Sequence, residues 1–304
     1  MNIIDKTKTI VKNEYIWLSI SDNETMDMLD NVNISIDGVL QLDEWDDALI
    51  EFINVNNIYG LELKGSKYEN TKFSLSILKS LPELKYLRIL GKYKKKEYKS
   101  IESLENLEQL SLGDYEAYEL DFSKLKKLKS YFSPIKHYDH PIFDCKNIEF
   151  FGANTNLENI EPIGKLTKIK ELYLFAKKLK DLKGIEKLEN LQSLKIDYGH
   201  NLQDISVLSK LNKLDTLSLY ACKKLENLNA ISKIKNLRWL QFDECGTIES
   251  LCPLMHNQHL EYISFGDTII EDGNIECLTK IKTLKKVSFR NKRHYNLKLD
   301  YFET

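Results

Sequence analysis

The stretch "CPLMHNQH" places Cys252, His256 and His259 within eight residues, and thiolate with imidazole is a donor set that zinc accepts. A fourth ligand from Cys245 or Cys277 would complete the site of a metal-dependent hydrolase, which is the alternative function the sequence offers. No paired cysteine spacing accompanies it, and between Leu254 and Leu260 the two histidines fit the wet side of a return segment. No metal or other cofactor is therefore assigned. "HYDHP", His137 to Pro141, reads as a polar turn. "GKYKKKEYK" (91–99) has the basic, tyrosine-flanked make-up of a strip for a phosphate backbone, but "SIESLENLE" follows at once with the opposite charge. A solvated loop is the expectation there, and nucleic acid is not an expected partner. The phosphate-cradling patterns GxxxxGK[ST] and GxGxxG do not occur, nor do GxSxG or HExxH, so the chain reads as a non-enzyme.

Composition agrees. Lys and Arg number 44 against 46 Asp and Glu, a net charge of −2, which creates no field towards nucleic acid or anionic lipid. Asp and Lys interrupt the opening "MNIIDKTKTIVKNEYIWLSI", where a secretory signal needs an apolar core, and no apolar run has the length of a membrane span. The five cysteines are odd in number and sparse, unlike a secreted disulfide framework. The expectation is a cytoplasmic protein, without membrane attachment and monomeric by itself. Its Lys-, Asn- and Ile-heavy usage suggests an AT-rich bacterial genome.

What would position side chains in such a protein is a repeat. The unit L-x-x-L-x-L starts at Ile58, Leu84, Leu107, Leu128, Ile148, Ile169, Leu191, Leu214, Leu237, Leu260 and Leu284. The copies "LKSYFS" at Leu128 and "IEFFGA" at Ile148 are degenerate, yet all eleven starts keep a spacing of 20–26 residues. In L-x-L both apolar side chains point to one side of a short strand, which cannot bury them alone, so the copies must stack. Between strands, Leu225, Leu228, Ile231, Ile234 and Leu237 recur at every third residue, the period of an extended or 3-10 return segment.

"LQDISVLSKLNKLDTLSL" and "LKGIEKLENLQSLKI" resemble the leucine-rich repeats of bacterial internalins. The resemblance covers about residues 58–290. It implies an α/β leucine-rich-repeat solenoid, curved, with a concave parallel β-sheet and a convex side that is irregular, 3-10 or short-helical. The domains expected are an N-terminal cap over 1–56 (β-hairpin plus helix), repeats over 57–290 and a C-terminal cap over 291–304. In the cap, 14–20 and 32–38 alternate like strands and 42–53 has helical apolar spacing. The secretion signal and wall anchor of surface internalins are not seen, so their surface roles are not carried over. The ladder position usually held by Asn falls on Cys222, Cys245, Asn156, Gly199 or Lys177, and reduced structural thiols are expected at the two cysteines.

Residues alternating with the leucines face outward and line up across strands. Eight of these thirty-three are aromatic, against 10% of the chain. Tyr173, Phe175, Tyr220, Trp239 and Tyr262, with Arg88, Glu171, Asp197, Gln241 and Asp243 interleaved, form the expected partner-binding set. Trp239 and Tyr262 should be neighbours, about 4.8 Å apart by strand spacing. Asp197, Asp243, Glu244 and Asp267 would give a negative edge suited to a basic partner. The function expected is protein–protein interaction on this face. It takes the form either of an inhibitor or immunity protein that neutralises a basic toxin or enzyme, or of a passive assembly scaffold.

Overall fold

The computed structural model describes residues 8–12, 15–21, 40–41, 47–55, 57–64 and 74–302. The chain divides into two compact units, Met1–Pro134 and Ile135–Thr304. In the first, β1 (Lys8–Lys12) lies antiparallel to β2 (Tyr15–Ser21), and β2 runs parallel to both β3 (Leu40–Gln41) and β4 (Gly60–Lys64). The helix α1 (Asp47–Val55) overlaps the helical spacing of 42–53 and runs two residues beyond it, while residues 32–38 lie outside those described. From β4 the strands continue in parallel through β5 (Tyr86–Leu90) and β6 (Gln109–Leu112) to β7 (Ser130–Ile135).

The second unit contains β8 (Phe150–Thr155), β9 (Glu171–Phe175), β10 (Ser193–Asp197), β11 (Thr216–Tyr220), β12 (Trp239–Asp243), β14 (Tyr262–Ser264) and β16 (Lys286–Ser288). Each pairs in parallel with the next. Two-residue strands β13 (Thr247–Ile248) and β15 (Ile269–Ile270) form a separate parallel pair. Among the described residues, all eleven repeat strands begin two positions after the starts read from L-x-x-L-x-L. Both units are therefore stacks of leucine-rich repeats.

The return segments explain the three-residue beat. Leu225, Leu228, Ile231, Ile234 and Leu237 are all buried, and the stretch between them passes through the 3-10 turn Ile231–Lys233. With three residues per turn, each third side chain re-enters the core behind Leu217 and Leu219. The degenerate copies obey the same geometry with other volumes. Tyr131 with Ser133, and Phe151 with Ala153, occupy the buried pair of positions, a ring beside a small residue in place of two leucines.

The ladder reading holds at Cys222, Cys245 and Gly199, which are buried, and is one residue late at Asn156 and Lys177, which are exposed. Buried Thr155 and Ala176 take the place instead. The later repeats insert one residue after the strand, and that residue (Tyr198, Ala221, Glu244) has positive φ. All five cysteines are free thiols. Cys245 donates through Sγ towards Leu219 O and Asp243 O, satisfying backbone carbonyls beneath the turn. Among the described residues, no helix is long and apolar enough to cross a membrane. At the C-terminal end, Phe289 stacks on Phe265 and meets Tyr295 and Phe302 edge-on, so rings cover the last repeat.

Candidate outward-face binding site

Nine of the ten outward residues singled out in the sequence lie on strands of the second unit. The tenth, Arg88, is on β5 of the first unit, where its guanidinium pairs with Glu62 at 3.1 Å. Within the second unit the parallel register sets Glu171 beside Ser193, Tyr173 beside Lys195, Phe175 beside Asp197, Asp197 beside Tyr220, and Trp239 beside Tyr262.

Trp239 and Tyr262 are stacked, with centroids 3.6 Å apart and planes 14° from parallel. The Trp239 neighbour on the other strand is Thr216, too small to cover an indole, and Trp239 remains 43% exposed. Lys286 carries its ammonium 5.9 Å from the Tyr262 ring centroid. Next to these strands lies a polar groove of about 480 Å³, lined by Gln192, Lys213, Asp215, Arg238, His259 and Glu261 among others. Glu261 receives Arg238 at 2.7 Å and Lys285 at 2.6 Å, and hydrogen bonds from these cations hold its carboxyl below the usual range.

A second aromatic group sits at the strand exits. Phe175 touches Tyr198 (4.6 Å between centroids), and Tyr198 meets Tyr220 edge-on at 5.2 Å. Tyr198 was not singled out from the sequence, because it falls one residue beyond the strand. Its positive φ turns the ring back among the outward residues. The available signal was the extra residue between strand and ladder.

The negative edge differs from the expectation. Asp197 is only 8% exposed; its Oδ2 accepts from the Tyr173 hydroxyl at 2.7 Å and pairs with Lys195 at 3.3 Å. Burial, then the bond to Asp197, push the Tyr173 phenol well above its ordinary value, which favours the donating hydroxyl form. Asp243 accepts from Gln241 Nε2, Ser264 Oγ and the Gly266 amide, and Asp267 pairs with Arg290 at 2.6 Å. The exposed Glu244 accepts from the Tyr220 hydroxyl at 2.7 Å, which first, with burial second, raises that phenol to about 12. These carboxylates are engaged within the chain, and the reason is geometric: each faces a donor one repeat away.

Elsewhere, Tyr93 and Tyr98 of the basic strip are buried, Tyr98 stacking on Tyr115 at 3.7 Å, so these rings are not available to bases. His256 is exposed and His259 lines the polar groove. Among the described residues, no three His, Cys, Asp or Glu side chains group to hold a metal ion.

Stacked L-x-L strands, 3-10 returns and an outward face of alternating residues define a leucine-rich-repeat protein. Scans against protein-family models and against curated proteins give no match. Solved structures do match, internalins among them. An internalin C2 from Listeria monocytogenes is 23% identical over 63% of this chain and 74% of its own, with a TM-score of 0.47. A TDR receptor is 20% identical, with a TM-score of 0.57 over 82% of this chain and 46% of its own. The Toll–Spätzle complex of Drosophila gives 11% identity and a TM-score of 0.57 over 79% of this chain and 34% of the other. The chain spans less than half of these last two, and the likeness is one of fold.

Proposed function

We propose that this protein is a non-enzymatic protein-binding module whose partner sits on the outward sheet face of the second unit, centred on Trp239 and Tyr262. One observation carries the reading: two large rings are stacked on the outward face, Trp239 is 43% exposed, and the adjoining positions are the small or polar Thr216, Gln241 and Ser264. A half-exposed indole there adds little to the core, whereas rigid aromatic area with polar neighbours is what dominates interface energetics. The repeat fold suits the role, since stacking leaves one residue in two free to face a partner.

In its finer form the proposal is a cytoplasmic inhibitor or immunity protein for a basic toxin or enzyme, with exposed Glu171 supplying charge together with Glu244, which stays exposed while it accepts from the Tyr220 hydroxyl. The engagement of Asp197, Asp243 and Asp267 shifts the weight of the interface from charge to rings. The test starts from a partner captured from source cells, identified, purified and titrated calorimetrically. Trp239→Ala weakens Kd by about 30-fold or more, corresponding to about 2 kcal/mol, with unchanged thermal unfolding. An unchanged Kd overturns the site. A basic partner adds a steep loss of affinity with salt; a flat salt profile removes the finer form and leaves the module standing.

A further inference from the structure

The second unit holds two pairs of thiols in adjacent layers, and they differ in access. Cys222 and Cys245 are completely buried, their Sγ atoms directed at the carbonyls of Tyr220, Leu219 and Asp243. Cys252 and Cys277 sit in successive return segments, the 3-10 turns Cys252–His256 and Glu276–Lys280. Asn274 ties them together. Its Nδ2 donates to Cys252 Sγ at 3.3 Å, and its backbone carbonyl accepts from Cys277 Sγ at 3.1 Å. Burial, and then the neighbouring Cys252 thiol, push the Cys277 thiol up.

Register places the two on neighbouring layers. Leu254 and Leu278 are the buried third residues of their turns, so Cys277 stands one position past the counterpart of Cys252 on the next layer. Layers repeat about every 5 Å, and a disulfide spans about 4.4–6.8 Å between Cα atoms, so neighbouring layers are at bridging range. Cys252 is partly exposed, whereas Cys277 is 5% exposed. One sulfur can meet a reagent from solvent while the other waits beneath it.

We propose that Cys252 and Cys277 are an oxidisable dithiol, a modification site at which a hydroperoxide converts two thiols into a disulfide between adjacent repeats. Cys252 is oxidised first: its thiolate sulfur attacks a peroxide oxygen, the O–O bond breaks, and the other oxygen leaves with a proton as the alcohol, or as water from hydrogen peroxide. Cys252 is then a sulfenic acid. The Cys277 sulfur attacks Cys252 Sγ, the S–O bond breaks, and the hydroxide released takes the Cys277 proton and leaves as water. Two thiols and one peroxide thus give one disulfide, one alcohol and one water. The product ties the layer that leads into Tyr262 to the layer that leads into Lys286.

The experiment treats the full chain with hydrogen peroxide, blocks free thiols with an alkylating agent under native conditions, and maps peptides without reduction. The expected product has lost two hydrogens and contains the Cys252–Cys277 cross-link, with Cys222 and Cys245 alkylated only after unfolding. In Cys277→Ser the Cys252 sulfenic acid persists and is trapped by a 1,3-dione; in Cys252→Ser, Cys277 stays reduced. A Cys222–Cys245 cross-link as the first product would overturn the assignment. So would over-oxidation of wild-type Cys252 with Cys277 still reduced, or disulfides formed only between chains. The mapping of the wild-type chain needs no variant to fold.

Discussion

Asp243 offers a perturbation whose size can be worked out bond by bond. Its carboxylate accepts from Gln241 Nε2 at 2.5 Å, from Ser264 Oγ at 2.9 Å and from the Gly266 amide at 2.6 Å. Two of the three cross from the β12 layer to the β14 layer, the layers that carry Trp239 and Tyr262. A hydrogen bond to a charged group contributes about 1.5–3 kcal/mol, but Asp243 is half-exposed and bonds sharing one acceptor do not add, so Asp243→Ala should cost about 2–3 kcal/mol. Asp243→Asn keeps one oxygen, which can continue to serve Ser264 and Gly266, while the Gln241 amide can turn to offer its carbonyl to the new NH₂. Its cost should be about 1 kcal/mol or less. Urea unfolding followed by circular dichroism, with the slopes compared before the midpoints, measures both. An alanine variant within about 0.5 kcal/mol of wild type, or an asparagine variant as unstable as the alanine, would refute the bracket between the two layers.

Three further outcomes follow from single contacts. Leu217→Ala empties a completely buried strand position and should lower stability by about 2–5 kcal/mol in the same urea assay. Gly199→Ala would set a Cβ 2.9 Å from Cys222 Sγ and 3.2 Å from Ile196 Cγ2, a clash worth about 1–3 kcal/mol; adding Cys222→Ala should recover part of it, and strict additivity would refute the contact. Tyr220 has its folded pKa raised to about 12 against about 10 unfolded, so its contribution is fully present below pH ~10 and is lost as pH rises towards 12. Tyr220→Phe should flatten that part of the wild-type stability profile, and an ultraviolet titration should show one fewer late-ionising phenol.

The repeat metre was legible because its cause is local and periodic. L-x-L needs two residues on one side of a strand, and the beat of Leu225, Leu228 and Ile231 needs a three-residue turn; both are visible in a short window. Even the degenerate "LKSYFS" and "IEFFGA" kept the positions, with Tyr131 and Phe151 inward in place of leucine. What lay beyond the window was whatever depends on the neighbouring layer. Whether Asp197 is a wet charge or a buried acceptor is decided by Tyr173, in the preceding strand, together with Lys195. The ladder slipped by one at Thr155 and Ala176 because strand-to-ladder length varies with a single positive-φ residue, and the same insertion hid Tyr198. The pairing of Thr247–Ile248 with Ile269–Ile270 is too short to leave any alternation to find.

That dependence on neighbours bears on binding. Lys195 lies 4.5 Å from the Tyr173 ring centroid while pairing with Asp197, Tyr173 holds Asp197 from the other side, Tyr220 is tied to Glu244, and Trp239 rests on Tyr262. Each of these side chains has already given up much of its rotamer freedom in the folded chain. In the proposed binding, contact with them would therefore cost less entropy than on a surface of free lysines and glutamates, where each immobilised side chain costs about 0.5–1.5 kcal/mol. The same ties remove most of the carboxylates from outside service. In the proposed binding, a face built this way would select by the shape and spacing of its rings, and the acidic residues that look in sequence like a recognition edge would act as the fasteners that keep those rings in place.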